Sequence, residues 1–388
     1  MKKTIALLLT LILFASLCAV PAYATGYTTK STNSFETDFA SGLLKWGFHV
    51  LNPIPFYADN IFVTARKESV SFLQWGAPFA HASTLLKMPN GKLICAWYGG
   101  SKEGGEDTRI YYSIRTGGLW SYPKKLETGF NTAHWNPVLQ LTAQNKVRLY
   151  FKSNGHSKNW QGYYCESSDC GRSWSKVYNI ALDTDNDVPL SASGPVKNKC
   201  LTTSGGLLLA PNSYETDTSR RAVIEYSTDG ETWHNSGEIV GYDDDGNEVK
   251  IIQPTLWESD DGSVHALMRS AENFMYRADS LDGGVTWSSA YRTSLGNNNS
   301  GFDLVETDDG LLWMVCNPSV MTYFRSPLVV YVSADDGNSW EPAIDLVKIV
   351  GPEFSYPSII ADGNRLYISY TNARVGICVV TLDYRRLW

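Results

Sequence analysis

After its first 24 residues the chain has no apolar run near the roughly 20 residues needed to cross a bilayer, which argues against a helical membrane span there. Cysteine is scarce: seven in 388 residues, with no metal-type C-x-x-C spacing, which excludes a disulfide-built scaffold or a zinc ribbon. Cys165 and Cys170 alone are placed to bridge within one hairpin. Positive charge is also short, 33 Lys and Arg against 40 Asp and Glu, giving a net charge of −7. That balance argues against nucleic acid or an acidic membrane surface as partner. No pattern for a metal or an organic cofactor appears, so none is expected.

What the first 24 residues do hold is a basic start (Lys2, Lys3), an apolar stretch from Ile5 to Leu17, and the small-residue site Ala22-Tyr23-Ala24. This reads as a secretory signal peptide cleaved near Ala24, so the protein is expected to be secreted, to the periplasm or outside the cell. Cleavage removes two lysines and no acid, which deepens the net charge from −7 to −9.

The dominant feature is a repeat. Ser167-x-Asp169-x-Gly171-x-Ser173-Trp174 recurs at Ser227–Trp233, Ser280–Trp287 and Ser333–Trp340, and a worn copy without its Asp runs from Ser113 to Trp120. The steps between first serines are 54, 60, 53 and 53 residues, the mark of stacked supersecondary units. In each box the Asp accepts hydrogen bonds from its own turn, the Gly takes a positive φ, and the Trp plugs one unit against its neighbours. Between boxes the pattern alternates with turn residues every 8–12 positions, which predicts strands. The expected architecture is all-β: a six-bladed β-propeller spanning 58–388, its last blade (strands from Pro357–Asp383) closed by an N-terminal strand at Asn60–Ser71. An arm at 25–57 precedes it, with a short helix suggested by Phe35, Phe39 and Leu43.

Each box lies between the third and fourth strands of a unit, so the boxes mark one face. The opposite face collects the starts of first and third strands and the ends of second strands. There stand His81, Glu103, Asp107, His134, Trp135, Asn136, Lys199, Gln253, Arg269, Asn317, Arg325, Tyr356 and Arg374. Convergent titratable groups in a concavity make an active-site candidate. Surplus aromatics beyond the boxes, among 13 Trp and 22 Tyr, suit a surface that stacks on sugar rings.

The boxes and layout resemble the sialidases (neuraminidases) over roughly residues 75–385, and resemble most a divergent group of bacterial neuraminidases. That resemblance implies a glycan substrate, a clamp of three arginines for the sugar carboxylate, a carboxylic acid that protonates the leaving group, and a Tyr nucleophile activated by a Glu. Ser355-Tyr356-Pro357-Ser358 resembles the nucleophile segment, Arg269 and Arg325 the second and third arginines, and the loop 101–107 the acid position. Within that loop Glu103 is the first choice of acid and Asp107 the second. Two departures stand out: His81 replaces the first arginine, and Gln253 replaces the activating Glu. His81, if partly neutral near pH 7, makes anion binding strengthen as the pH falls toward 6.

The leading expectation is an exo-acting glycoside hydrolase that removes a terminal, acidic sugar. Its rivals are a polysaccharide lyase acting on uronic acids, with His134 or His81 as base, and a glycan-binding propeller without turnover.

Overall fold

The computed structural model describes residues 57–58, 61–74, 76–155, 157–182, 193–321, 324–349 and 351–386. The leader and nearly all of the arm, with the helix expected at Phe35–Leu43, lie outside them. Within the described residues regular structure is all strand apart from one 3-10 turn at Ser157–Asn159. No described helix is long and apolar enough to cross a membrane.

Six antiparallel blades surround an axis. The innermost strands, in chain order, are Phe79–Lys87, His134–Leu141, Leu201–Thr202, Ile251–Glu258, Asp303–Glu306 and Phe354–Asp362. Each blade then steps outward through its second and third strands to a fourth. In the sixth blade the order is Phe354–Asp362, Arg365–Asn372, Gly376–Arg386, and then Ile61–Phe72 from the other end of the chain. Ile61 pairs with Arg386 and Phe72 with Gly376, so the ring is closed by a strand that precedes the first blade, and the short strand Tyr57–Ala58 pairs on its outer edge.

Blades stack face to face, so their central strands are covered on both sides and Leu93–Gly100 is buried throughout. Ile94, Ala96 and Tyr98 of the first blade meet Leu149 and Phe151 of the second. Trp313 and Val315 of the fifth meet Ile359 and Ile368 of the sixth. These interblade layers are the core.

The boxes act as turn locks. The Asp169 carboxylate accepts from the Arg172 and Ser173 amides at 3.0 and 2.9 Å and from the Ser173 hydroxyl at 2.6 Å. Ser167 Oγ donates to it and receives the Gly171 amide, both at 2.8 Å. The same bonds recur around Asp282 and Asp335. The Trp plugs are unequal. Trp233 is fully buried between the second and third blades, against Val138, Tyr150 and Ala210, whereas Trp287 is only half-buried. Cys165 and Cys170 are both free, so the box turn is closed by hydrogen bonds alone.

One local device positions the site. Four inner strands carry a bulge at their start, each on a residue with positive φ: Ala82 (49°), Asn136 (42°), Gln253 (56°) and Tyr356 (51°). Non-glycine residues in that region cost about 1–3 kcal/mol each and persist only where the surroundings hold them. Three of the four precede a proline, which an inner strand tolerates because its amide side faces the axis, not another strand.

Candidate active site

At the end of the axis away from the boxes, Tyr356 is the hub. Its Oη accepts a 2.6 Å hydrogen bond from Arg269 Nη1, and the same nitrogen donates to Gln253 Oε1 at 3.0 Å. Arg269 Nε is held by Asn299 Oδ1 at 2.9 Å. The Arg269 and Arg325 guanidiniums lie 5.6 and 5.3 Å from the Tyr356 ring centre. On its other side the His81 ring lies 4.3 Å away, with His81 Nδ1 3.0 Å from Thr371 Oγ1.

A chain of alternating charge borders this hub. Arg325 Nη1 donates to Glu353 Oε1 at 2.7 Å, Arg374 Nε donates to the other Glu353 oxygen, and Arg374 Nη1 donates to Glu103. Glu103 also receives the Tyr98 hydroxyl at 3.0 Å and leaves 41% of its side chain exposed. Three guanidiniums thus face two carboxylates, an excess of one positive charge at the mouth. Burial works against the Glu353 charge, but His81, Arg325 and Arg374 outweigh it and hold its carboxyl down at about 2. Burial, with Arg374, Arg325 and Arg269 behind it, drives His81 well below its usual range. Burial thus opposes the protonation of His81, and with it the expected strengthening of anion binding as the pH falls.

The third cation has an unexpected origin. Arg374 sits in the turn after Arg365–Asn372, and its backbone carbonyl receives the Ala80 amide, which sets it beside His81. The inner strand of the first blade lacks an arginine, and the cation beside His81 comes from the sixth blade.

Other expected site residues are occupied elsewhere. The Asp107 carboxylate caps its own loop, taking the Ser101 amide and hydroxyl at 2.9 Å each. His134 is enclosed, with Nε2 2.7 Å from Thr128 Oγ1, Nδ1 2.7 Å from the Thr132 carbonyl, and its ring stacked on Phe151. Burial pushes it down to about 4, and it has no free nitrogen for a substrate. Lys199 lies under the site, paired at 2.9 Å with the buried Asp303, which also takes Thr255 Oγ1 and the Ile359 amide. Asn317 ties the Pro327 and Phe354 carbonyls together and so fixes the segment that leads into Tyr356. Trp135 packs on Tyr98 and Trp160 and backs the acidic loop at Gly104; Asn136 is the buried bulge residue. Among the described residues no three His, Cys, Asp or Glu gather as a metal site.

A family model described as "BNR repeat-like domain" matches residues 91–368. The chain belongs to that family. No curated protein matches this BNR-repeat chain in sequence closely enough to count as a relative. Its fold matches a Dyadobacter fermentans protein of unknown function, with a TM-score of 0.68 and 16% identity over 84% of this chain and 100% of that one. It also matches a Hadza microbial sialidase, with a TM-score of 0.68 and 18% identity over 83% of this chain and 68% of that one. A Trypanosoma rangeli sialidase in complex with sialic acid matches at a TM-score of 0.60 and 16% identity, over 87% of this chain and 58% of that one. The BNR-repeat propeller here is of the sialidase type in its fold.

Four polar members of the site escaped the sequence reading: Asn299 and Thr371, which hold Arg269 and His81, and Glu353 and Tyr98. Glu353 precedes the strand when that strand is started at Pro357; it begins at Phe354, which makes Glu353 a strand-start residue like the others. Tyr98 reads as one more apolar strand position until the loop folds Glu103 back over it. The repeated pairs Asn136-Pro137, Gln253-Pro254 and Tyr356-Pro357 were the available signal for the bulges.

Proposed function

We propose that this protein is an exported, exo-acting glycoside hydrolase that removes a terminal acidic sugar from glycans. The observation that carries the reading is the convergence of Arg269, Arg325 and Arg374 with an exposed carboxyl, Glu103, around Tyr356. Guanidiniums in this number suit a carboxylate ligand, which they bind through paired N–H groups. Sialidases among the structural neighbours give the reading its context, and fold alone does not decide chemistry.

In this mechanism the arginines hold the sugar carboxylate. As Arg374 turns from Glu103 to the sugar carboxylate, Glu103 is freed to hold a proton, which it gives to the glycosidic oxygen as the C–O bond breaks. Tyr356 faces the positive charge that develops on the ring. Its phenol oxygen already accepts from Arg269, and its neighbour Gln253 takes no proton. Tyr356 therefore serves by stabilising the oxocarbenium-like state, and water supplies the hydroxyl that completes hydrolysis while its other proton passes to the Glu103 carboxylate. Weak or no cleavage of a simple sialic acid glycoside is expected, with better turnover of another acidic glycan.

One observation favours a second reading, elimination from a uronic acid. His81, its ring centre 4.3 Å from that of Tyr356, together with arginines to neutralise a carboxylate, supplies a base, a proton donor and charge neutralisation without any activating Glu. A panel of glycans bearing sialic, other ulosonic and uronic acids separates the two. Release of the free sugar without new ultraviolet absorbance supports hydrolysis, and absorbance from a new C=C bond supports elimination. No release from any member, with binding retained, refutes both. Rapid cleavage of a fluorogenic sialoside, lost in Tyr356→Phe and kept in Gln253→Ala, overturns the stabilising role of Tyr356.

A further inference from the structure

On the opposite face, between the first and second blades, lies a cleft of about 370 Å³. Three cations line it, Lys92, Lys124 and Arg172, and no carboxylate does. Among the described residues none of the three makes an ion pair. This is a local reversal in a chain whose net charge is −7. Two acids adjoin it: Glu68 is already matched by Arg115 at 2.7 Å and Arg66 at 3.1 Å, and Asp169, which accepts the Arg172 amide at 3.0 Å, offsets one of the three cations and leaves an excess of two.

The rest of the lining is amphipathic. Ile114, Trp120 and Leu119 make an apolar side, and Leu119 is 55% exposed. The volume falls at the lower end of the range for small-ligand sites, about 300–1,000 Å³. Cations around an apolar wall that includes the Trp120 ring fit an acidic sugar unit, which offers an anionic group, hydroxyls and an apolar ring face. Bare phosphate would leave Leu119 and Trp120 without a role.

We infer that this cleft is a second carbohydrate site, which binds an acidic unit of a glycan on the face away from Tyr356. It stands independently of any catalysis at the other end of the axis. The worn box makes it possible: Gly117-Gly118 forms a two-residue turn in place of the Asp-locked one and sets Leu119 opposite Thr116 at the start of the returning strand.

Cys170 supplies a built-in reporter, since it lines the cleft and is half-buried while the other five described cysteines are buried. Labelling of the Cys170 peptide by a maleimide would be followed by mass spectrometry. The additions are polygalacturonate (carboxylate only), chondroitin sulfate (sulfate and carboxylate), neutral dextran, or duplex DNA. Protection of at least fivefold by either acidic glycan, weakening with added salt, is expected, with the two glycans showing which anion is preferred. The combined variant Lys92→Gln, Lys124→Gln, Arg172→Gln should lose the protection while keeping the wild-type melting temperature. The same labelling rate with and without both glycans overturns the inference. So does equal protection by dextran, or stronger protection by DNA at equal charge, which would mark a nucleic-acid surface instead.

Discussion

The Glu353 carboxylate provides the sharpest energetic test of the site. It bridges Arg325 and Arg374, and these charges together with His81 overcome its burial to hold it at about 2 against an ordinary 4.5. A carboxyl depressed in the folded state stabilises the fold above its unfolded value and loses that contribution as the pH falls through the folded value. Each pKa unit is worth about 1.36 kcal/mol, so Glu353 contributes roughly 3 kcal/mol at pH 7 and about half of that at pH 3. Glu353→Gln keeps a hydrogen-bond acceptor but leaves two guanidiniums without their counter-charge. Urea unfolding followed by Trp fluorescence should show the variant weaker by about 3 kcal/mol at pH 7, with the gap halved by pH 3. Other depressed carboxyls, such as Asp229 at about 2, titrate in both proteins and cancel in the difference. A gap that stays constant from pH 7 to pH 3 would refute the electrostatic account and leave only packing.

The unequal burial of the box tryptophans predicts unequal costs. Trp233→Ala should lose about 3–5 kcal/mol, as for a large buried side chain, and Trp287→Ala markedly less, compared by urea midpoints. At the acidic loop, Glu103→Gln should lower kcat with little change in KM, since proton donation matters only in the transition state. Asp107→Asn should instead loosen the loop and raise KM, and steady-state kinetics on the two variants distinguish the roles. Gln253→Glu sets a carboxylate beside the Arg269 nitrogen that holds Tyr356; it should open a covalent route, seen as a burst of product with an activated aryl glycoside.

The propeller was legible because its signals are local and repeated. A box needs only Ser, Asp, Gly and Trp at fixed offsets, and a strand needs only alternation, so six units and their common face follow from position alone. Arg269 and Arg325 were readable for the same reason, as ends and starts of strands. What position could not show was competition between partners. Asp107 lies in the right loop, but the nearest donors are the amide and hydroxyl of its own Ser101, and a short loop satisfies them first. His134 and Lys199 stand at the right height, yet Thr128 and Asp303 meet them before any ligand does. Arg374 reaches the mouth across a blade boundary, and its joint hold on Glu353 and Glu103 depends on two loops folding toward each other.

The strand pairing that completes the sixth blade carries a consequence for how the molecule is made. Ile61 must find Arg386, so the strand Ile61–Phe72 waits for nearly the whole chain before it can join its blade. Closing so long a loop costs only a logarithmic penalty in stability, but contacts this distant in sequence slow folding. Until it closes, Gly376–Arg386 presents an unpaired edge in a nearly finished ring, open to a strand from another copy. The joint is also where the circle is weakest in time: a nick or deletion within Ile61–Phe72 would leave five blades intact and the sixth with its outer edge bare. Relocating the chain ends to a box turn, with 61–72 fused directly after 386, would turn that late closure into a hairpin and should speed assembly without altering the finished ring.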